Sequence, residues 1–270
     1  DRVAARRGRP HPGPRRAGVG PGRGAALARV FAQEGAAVAL AARGRTTIDA
    51  LAAELGAPRG APGPCGGAIA QPTDIADEAS CEVLVQRVVE PWGGIDVLVH
   101  NAAAPGPMKP LAESRVADWR TAMDVNYFGA LALVRAALPA MRGRAGANVV
   151  MVSSMASRDI QPAQGAYAAS KAALNTVAKT LARELGPDGV RVNVLVPGWI
   201  AGPNAEASLR AQAKRRGIAY EDVLAEREAA TALRRIASGE EIARCAVLLA
   251  SDYASTVTGH LLDANAGEWM

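Results

Sequence analysis

Asn148-Val149-Val150-Met151-Val152-Ser153, followed after a polar stretch by Gln164-Gly165-Ala166-Tyr167-Ala168-Ala169-Ser170-Lys171, is the passage that decides how this chain is read. The first run is apolar without alternation, as in a strand covered on both faces. A helical pattern then spans 164–185, and a second apolar run spans 190–196. Strand, helix and strand in that order make a unit of parallel sheet. Outward from this unit the alternation continues. Strands are expected over 36–42, 68–71, 95–100 and 260–263. Helices are expected over 24–34, 46–55, 78–90, 117–141 (one long helix), 204–230 and 240–250, with a Gly/Pro-rich loop over 58–67. The expectation is a single α/β domain built on a doubly wound parallel sheet, whose ligands bind beyond the carboxyl ends of the strands.

Composition narrows the possible functions. A chain of 270 residues is long enough for one large α/β domain, and 49% apolar content with only 4% aromatics implies a core of Ala, Val and Leu. The net charge of +5 is concentrated at one end. Residues 1–24 hold seven arginines and one acid, whereas the other 246 residues carry 24 bases and 25 acids. The body is therefore near neutral, and no nucleic-acid surface is expected. Cys65, Cys81 and Cys245 are odd in number and lack metal-ligand spacing; reduced thiols in a cytoplasmic protein are the simplest reading. His11, His100 and His260 are scattered, so no metal is expected. No apolar run approaches the ~18 residues of a membrane span, and no secretory signal pattern is present.

Tyr167 and Lys171 carry the chemistry. Four residues apart on a helix, they lie on one face. A free phenol has a pKa of about 10, too high for proton exchange at neutral pH. A nearby cation favours the phenolate, and each unit of lowering needs about 1.4 kcal/mol. The pair thus reads as a general acid/base made of residues inert alone; an incidental Tyr and Lys on a surface helix is the plain alternative. Other candidates fall just after predicted strands. Gly18, Gly22 and Gly24 open the first helix, where glycine permits positive φ and close approach to a pyrophosphate, though a glycine-rich linker would look similar. Arg43 ends the second strand, where an acid would bind a ribose hydroxyl and an arginine accommodates a 2′-phosphate, so NADP is favoured and NAD is possible. Asp74 is placed to accept from an adenine amino group or to cap the next helix. Asn101-Ala102-Ala103 offers small residues for close passage by a cofactor, or a tight turn. Asn126, a poor helix former inside a long helix, either exposes a backbone carbonyl to a water or is a satisfied buried amide. Ser153 and Ser154 end the central strand, and Ser154 lies thirteen residues before Tyr167. Pro197-Gly198, with Ile200 beyond it, turns the chain after the sixth strand. A Ser/His/Asp hydrolase is a poor fit, because Ser154 lacks the G-x-S-x-G elbow.

Taken together, these residues resemble the short-chain dehydrogenase/reductase family in its single-domain branch, from about Gly18 to Met270. The resemblance rests on Gly18-x-x-x-Gly22-x-Gly24, Asn101-Ala102-Ala103, Asn126, Ser154, Tyr167-x-x-x-Lys171, Pro197-Gly198 and the closing stretches 249–252 and 257–259. It implies a Rossmann-like, 3-oxoacyl-reductase-like enzyme acting on a small-molecule carbonyl/alcohol substrate. Tyr167 would exchange the proton, Lys171 would lower the tyrosine pKa and bind the nicotinamide ribose, Ser154 would polarise the carbonyl, and Asn126 would hold a relaying water. It also implies a homo-oligomer, tetramer or dimer, built on the helices over 117–141 and 164–185.

The chain departs from that family at its start. An apolar first strand should run into the glycine loop, yet the sequence reads His11-Pro12-Gly13-Pro14-Arg15-Arg16-Ala17. Prolines cannot donate to a central ladder, and arginines are costly to bury there. Residues 1–16 are accordingly set apart as an aberrant basic segment, and 17–270 as the dinucleotide-binding oxidoreductase domain. A stretch translated in a shifted frame, an Arg-rich targeting tail or a divergence that weakens cofactor binding all fit the segment. If the strand is missing, the alternative function is a catalytically silent fold used for binding or oligomerisation. The charged insert over 204–230, with Lys214, Arg215 and Arg216, either lids the substrate site or is a solvated helix face.

Overall fold

The computed structural model describes residues 15–17, 23–56 and 67–269. Seven parallel strands form one sheet in the order β3-β2-β1-β4-β5-β6-β9. They are β1 (Arg15–Ala17), β2 (Ala37–Ala42), β3 (Ala68–Pro72), β4 (Val97–His100), β5 (Asn148–Val152), β6 (Arg191–Pro197) and β9 (Leu261–Ala264). A two-stranded ribbon, β7 (Ile200–Ala201) with β8 (Ala237–Ser238), stands apart from it.

The continuous apolar strands are buried on both faces because successive side chains point to opposite sides. On one face Leu98, Val149 and Met151 pack with Leu84, Val88, Leu133, Ala137 and Leu174. These belong to α3 (Glu78–Trp92), α5 (Gly129–Met141) and α6 (Gly165–Leu185). On the other face Val97, Val99, Val150 and Val152 pack with Leu27, Phe31, Ile48, Ile242 and Leu249, from α1 (Arg23–Gln33), α2 (Arg45–Leu55) and α9 (Gly239–Ala250). The order reverses between β1 and β4, where a doubly wound sheet opens its crevice.

Three sequence expectations are corrected. The first strand exists: Arg15–Ala17 pairs in parallel with both β2 and β4 at the centre of the sheet. A ladder takes only backbone N–H and C=O groups, and none of these three residues is proline. Pro12 and Pro14 lie outside the described residues. The boundary drawn after residue 16 therefore falls inside a strand. The single helix over 117–141 is in fact α4 (Val116–Met123), a π turn at Asp124–Phe128, and α5. The insert over 204–230 is two helices, α7 (Pro203–Arg216) and α8 (Tyr220–Ala229), broken at Gly217, whose φ is 68°.

The π turn is packed tightly from outside. A Cβ at Gly129, the first residue of α5, would lie 2.8 Å from the Ile75 carbonyl oxygen. Alanine is the better helix former by about 1 kcal/mol, but a backbone atom cannot step aside as a flexible side chain can. We expect Gly129→Ala to lower stability by about 1–3 kcal/mol, read as a fall in the denaturant midpoint. A rise would show that the contact is slack.

Candidate active site

The carboxyl ends of β4 and β5 meet α6 at Tyr167 and Lys171. Lys171 is fully buried, and its Nζ donates to the Val152 carbonyl at 2.8 Å. The same nitrogen lies 5.9 Å from the centroid of the partly buried Tyr167 ring. The i, i+4 spacing thus produces the expected juxtaposition. The strand end also grips the helix backbone, since Ser153 Oγ donates to the Lys171 carbonyl at 3.3 Å. Ser154 is extended (φ −160°, ψ 150°) and caps the short turn Met155–Ser157, its Oγ accepting from Ala156 N at 3.2 Å. That turn is joined to α6 by Asn175 Nδ2 donating to Ser157 Oγ at 2.8 Å.

Asn126 occupies the middle of the π turn and is fully buried. Its Oδ1 accepts from Ala104 N at 2.7 Å, and its Nδ2 donates to Ala104 O and to Ser170 Oγ, both at 2.8 Å. Ser170 Oγ in turn donates to the Tyr167 carbonyl at 2.8 Å. The side chain is therefore a satisfied amide, one of the two readings of this residue. Both amide protons of Asn126 are used, and a π turn interrupts the regular i→i−4 pairing that otherwise occupies the backbone carbonyls.

Around the crevice the other candidates are spread along the strand ends. Gly24 is buried in the first turn of α1, while Gly18 and Gly22 lie outside the described residues. Arg43 is exposed one residue past β2. Asp74 is exposed and folded on itself, Oδ1 accepting from Ala76 N at 3.1 Å; the cap of α3 is Asp77 instead. Asn101 Oδ1 accepts from Arg23 Nε at 2.6 Å, and Ala102 beside it is partly buried. Pro197 is the last residue of β6 and is buried. At Gly198 a Cβ would lie 2.7 Å from Asn265 Cβ and 3.2 Å from a Glu268 carboxylate oxygen, so only glycine passes here. Ile200 pairs with Ala237 in the ribbon.

The sequence reading missed Arg23, His100, Ala104 and Ser170. Ser170 was detectable as a small polar residue one turn from Tyr167, and His100 as a polar residue ending an apolar strand. His100 is 1% exposed, and both of its ring nitrogens are buried without a hydrogen-bond partner. Burial, then the Lys171 and Arg23 charges, push its pKa down to about 3. Burial and then Arg23 bring Lys171 down to about 7. Among the described residues no cluster suited to a metal ion is present.

Both shifts act on stability in the same direction. Each group holds its protons less tightly folded than unfolded, so stability rises with pH through each window. For His100 the window runs from about 3 to 6.5, and for Lys171 from about 7 to 10.5. The ligand-free protein should therefore melt at a higher temperature at pH 9 than at pH 7, and Lys171→Met should flatten that rise. A melting temperature that falls over this range in the native protein, with the same slope in the variant, would contradict the burial argument.

Known proteins resemble this chain over nearly its whole length. A family model described as Enoyl-(Acyl carrier protein) reductase matches residues 18–268. The chain is 33% identical over 252 residues to an uncharacterised short-chain type dehydrogenase/reductase of Sinorhizobium fredii, covering 91% of this chain and 92% of that protein. It is 32% identical over 255 residues to a 3-oxoacyl-[acyl-carrier-protein] reductase of Thermotoga maritima, covering 93% and 94%. A solved short-chain dehydrogenase/reductase from Brucella melitensis superposes with a TM-score of 0.84 at 30% identity, covering 96% and 97%. The chain belongs to the short-chain dehydrogenase/reductase family and is a pyridine-nucleotide-dependent oxidoreductase.

Proposed function

We propose that this protein interconverts a small-molecule carbonyl and its alcohol with NADP(H), using Ser154, Tyr167, Lys171 and Asn126. The observation that carries the reading is Lys171, buried and tied to Val152 O, beneath the Tyr167 ring at the carboxyl end of the sheet. The residues present suit a dinucleotide. The buried Gly24 at the start of α1 marks an anion-favouring helix end, the crevice holds Arg23 and Lys171, and Gly198 sits where no side chain fits. Gly18 and Gly22 would extend the cradle on the α1 side, with Asn101, Ala102 and Asp74 along its floor. Pro197, Gly198 and Ile200 would flank the nicotinamide end. When bound, the cofactor supplies the hydride.

The chain's own residues handle the proton and the position. Tyr167 donates the proton to the carbonyl oxygen or takes it from the alcohol. Ser154 donates a hydrogen bond to that oxygen. Lys171 spends one of its ammonium protons on Val152 O and has others for ribose hydroxyls and for a water on the π-turn backbone near Asn126. Arg43, exposed after β2 with Ala42 before it, favours a 2′-phosphate and hence NADP over NAD.

The reading extends to substrate and assembly. Relatives named as acyl-carrier reductases make an acyl thioester with a 3-oxo group a reasonable substrate class. Within the insert, Arg210 pairs with Glu206 at 2.7 Å and Arg216 with Glu226 at 2.6 Å, so much of its charge is internally paired. Val116, which opens α4, and Phe128, which closes the π turn, are 66% and 55% exposed and favour a homo-oligomer, dimer or tetramer, built on that surface. The free thiols of Cys81 and Cys245, both raised in pKa chiefly by burial, favour a cytoplasmic setting. No described helix is long and apolar enough to cross a membrane. The silent-fold alternative loses its motive, because the first strand is in place.

Fluorescence titration with NADPH and NADH, followed by a panel of carbonyl substrates, tests this function. NADPH is expected to bind more tightly, and Arg43→Ala to cost NADPH about tenfold (roughly 1.4 kcal/mol) while leaving NADH nearly unchanged. Equal binding of both by the native protein would overturn the NADP assignment. Ser154→Ala should slow turnover by about 10–1,000-fold without changing NADPH affinity.

A further inference from the structure

Arg23 begins α1 beside the central strands and reaches across the crevice, its Nε donating to Asn101 Oδ1 at 2.6 Å, 78 residues away. Its surroundings are unusual for a cation. The amide of Asn101 is neutral, and among the described residues no carboxylate pairs with Arg23. Burial pulls its pKa below the usual arginine range, and the Tyr167 side chain partly offsets that pull. Its charge is felt by Lys171 and by His100, so three basic side chains share this end of the sheet. The imidazole nitrogens of His100 are buried without partners in the same place.

A guanidinium cannot escape burial by losing its proton, unlike lysine or histidine. Arg23 is half-buried, and a charge even partly withdrawn from water with no carboxylate beside it favours an anion. The described contacts use one of the five N–H donors of Arg23, leaving the rest of the fork for an oxyanion. The neighbouring helix end favours the same sign of ligand.

We propose that Arg23 is an anion-binding residue of the cofactor crevice, pairing with a phosphate oxygen of the dinucleotide diphosphate. This rests on the dinucleotide reading above. Burial first and Arg23 second hold Lys171 down; a bound diphosphate offsets the second and moves Lys171 toward its protonated form beside Tyr167.

The test is calorimetric titration of the full chain with ADP-ribose, which carries the diphosphate without nicotinamide, and with NADPH. Native protein, Arg23→Gln and Arg23→Lys are compared, each with a thermal melt of the ligand-free form. Arg23→Gln should weaken ADP-ribose and NADPH by about 10–100-fold, Arg23→Lys by less, and the affinity of Arg23→Gln should fall less steeply with salt. The ligand-free melting temperature of Arg23→Gln should hold or rise, because an uncompensated charge is removed. A residue serving structure alone would lower it. Native affinity for ADP-ribose in a folded Arg23→Gln protein overturns this proposal alone, as does a loss confined to KM for an anionic carbonyl substrate. Failure of both variants to fold overturns it too, by making Arg23 structural. A native protein that binds neither ligand overturns the proposal together with the dinucleotide reading.

Discussion

The side chain of Asn126 is the constraint on which the site depends. One amide bridges three segments: the π turn that carries it, the backbone of Ala104 after β4, and Ser170 on α6. Through Ser170 it also reaches the Tyr167 carbonyl. All of these groups lie in or beside the core, where an unpaired donor or acceptor costs about 1–3 kcal/mol. Loosening one bond therefore strands several groups together, which makes the arrangement close to all-or-none. From the other side, β5 holds the same turn of α6 through Val152 O and Ser153 Oγ. The Tyr167–Lys171 pair is thus fixed by backbone carbonyls on two sides rather than by the two side chains themselves.

Electrostatics works against this order in the absence of ligand. Arg23, His100 and Lys171 are drawn together at the carboxyl ends of the strands, and each has its proton affinity lowered first by burial. The apolar layers of both sheet faces offset that cost. Lys171, brought down toward neutral pH by burial and then by Arg23, is a sensitive group, because negative charge nearby favours its protonated form. On the proposed reading, function and stability are coupled: the same bases that weaken the empty fold would suit it to an anionic partner.

Much of the fold was legible because the central strands β2, β4 and β5 are almost wholly apolar and because α2, α3 and α7 stop at glycine. Asn148–Val152 and Gly165–Leu185 match their expected elements to within a residue or two. The pairing of Tyr167 with Lys171 followed from helical spacing alone. The first strand was misjudged because Arg15 and Arg16 were weighed by side chain, whereas a parallel ladder is made by backbone. The π turn carries no periodicity signal, since it adds one residue to an otherwise helical pattern. The ribbon of β7 and β8 is two residues a side, too short for alternation to show. Arg23 was hidden among glycines, in a stretch read for backbone conformation, and its partner Asn101 is distant in sequence.

The central claim is that Tyr167, beside Lys171 and fixed by the Asn126 clamp, moves the proton that accompanies hydride transfer. The most direct measurement is the single-turnover rate of NADPH oxidation on a carbonyl substrate by Tyr167→Phe beside the native protein. Removing only the phenolic oxygen should leave NADPH affinity and melting temperature close to native and cut the rate by about 100–10,000-fold. A variant that keeps the native rate would show that another group supplies the proton, and the account of this site would be wrong.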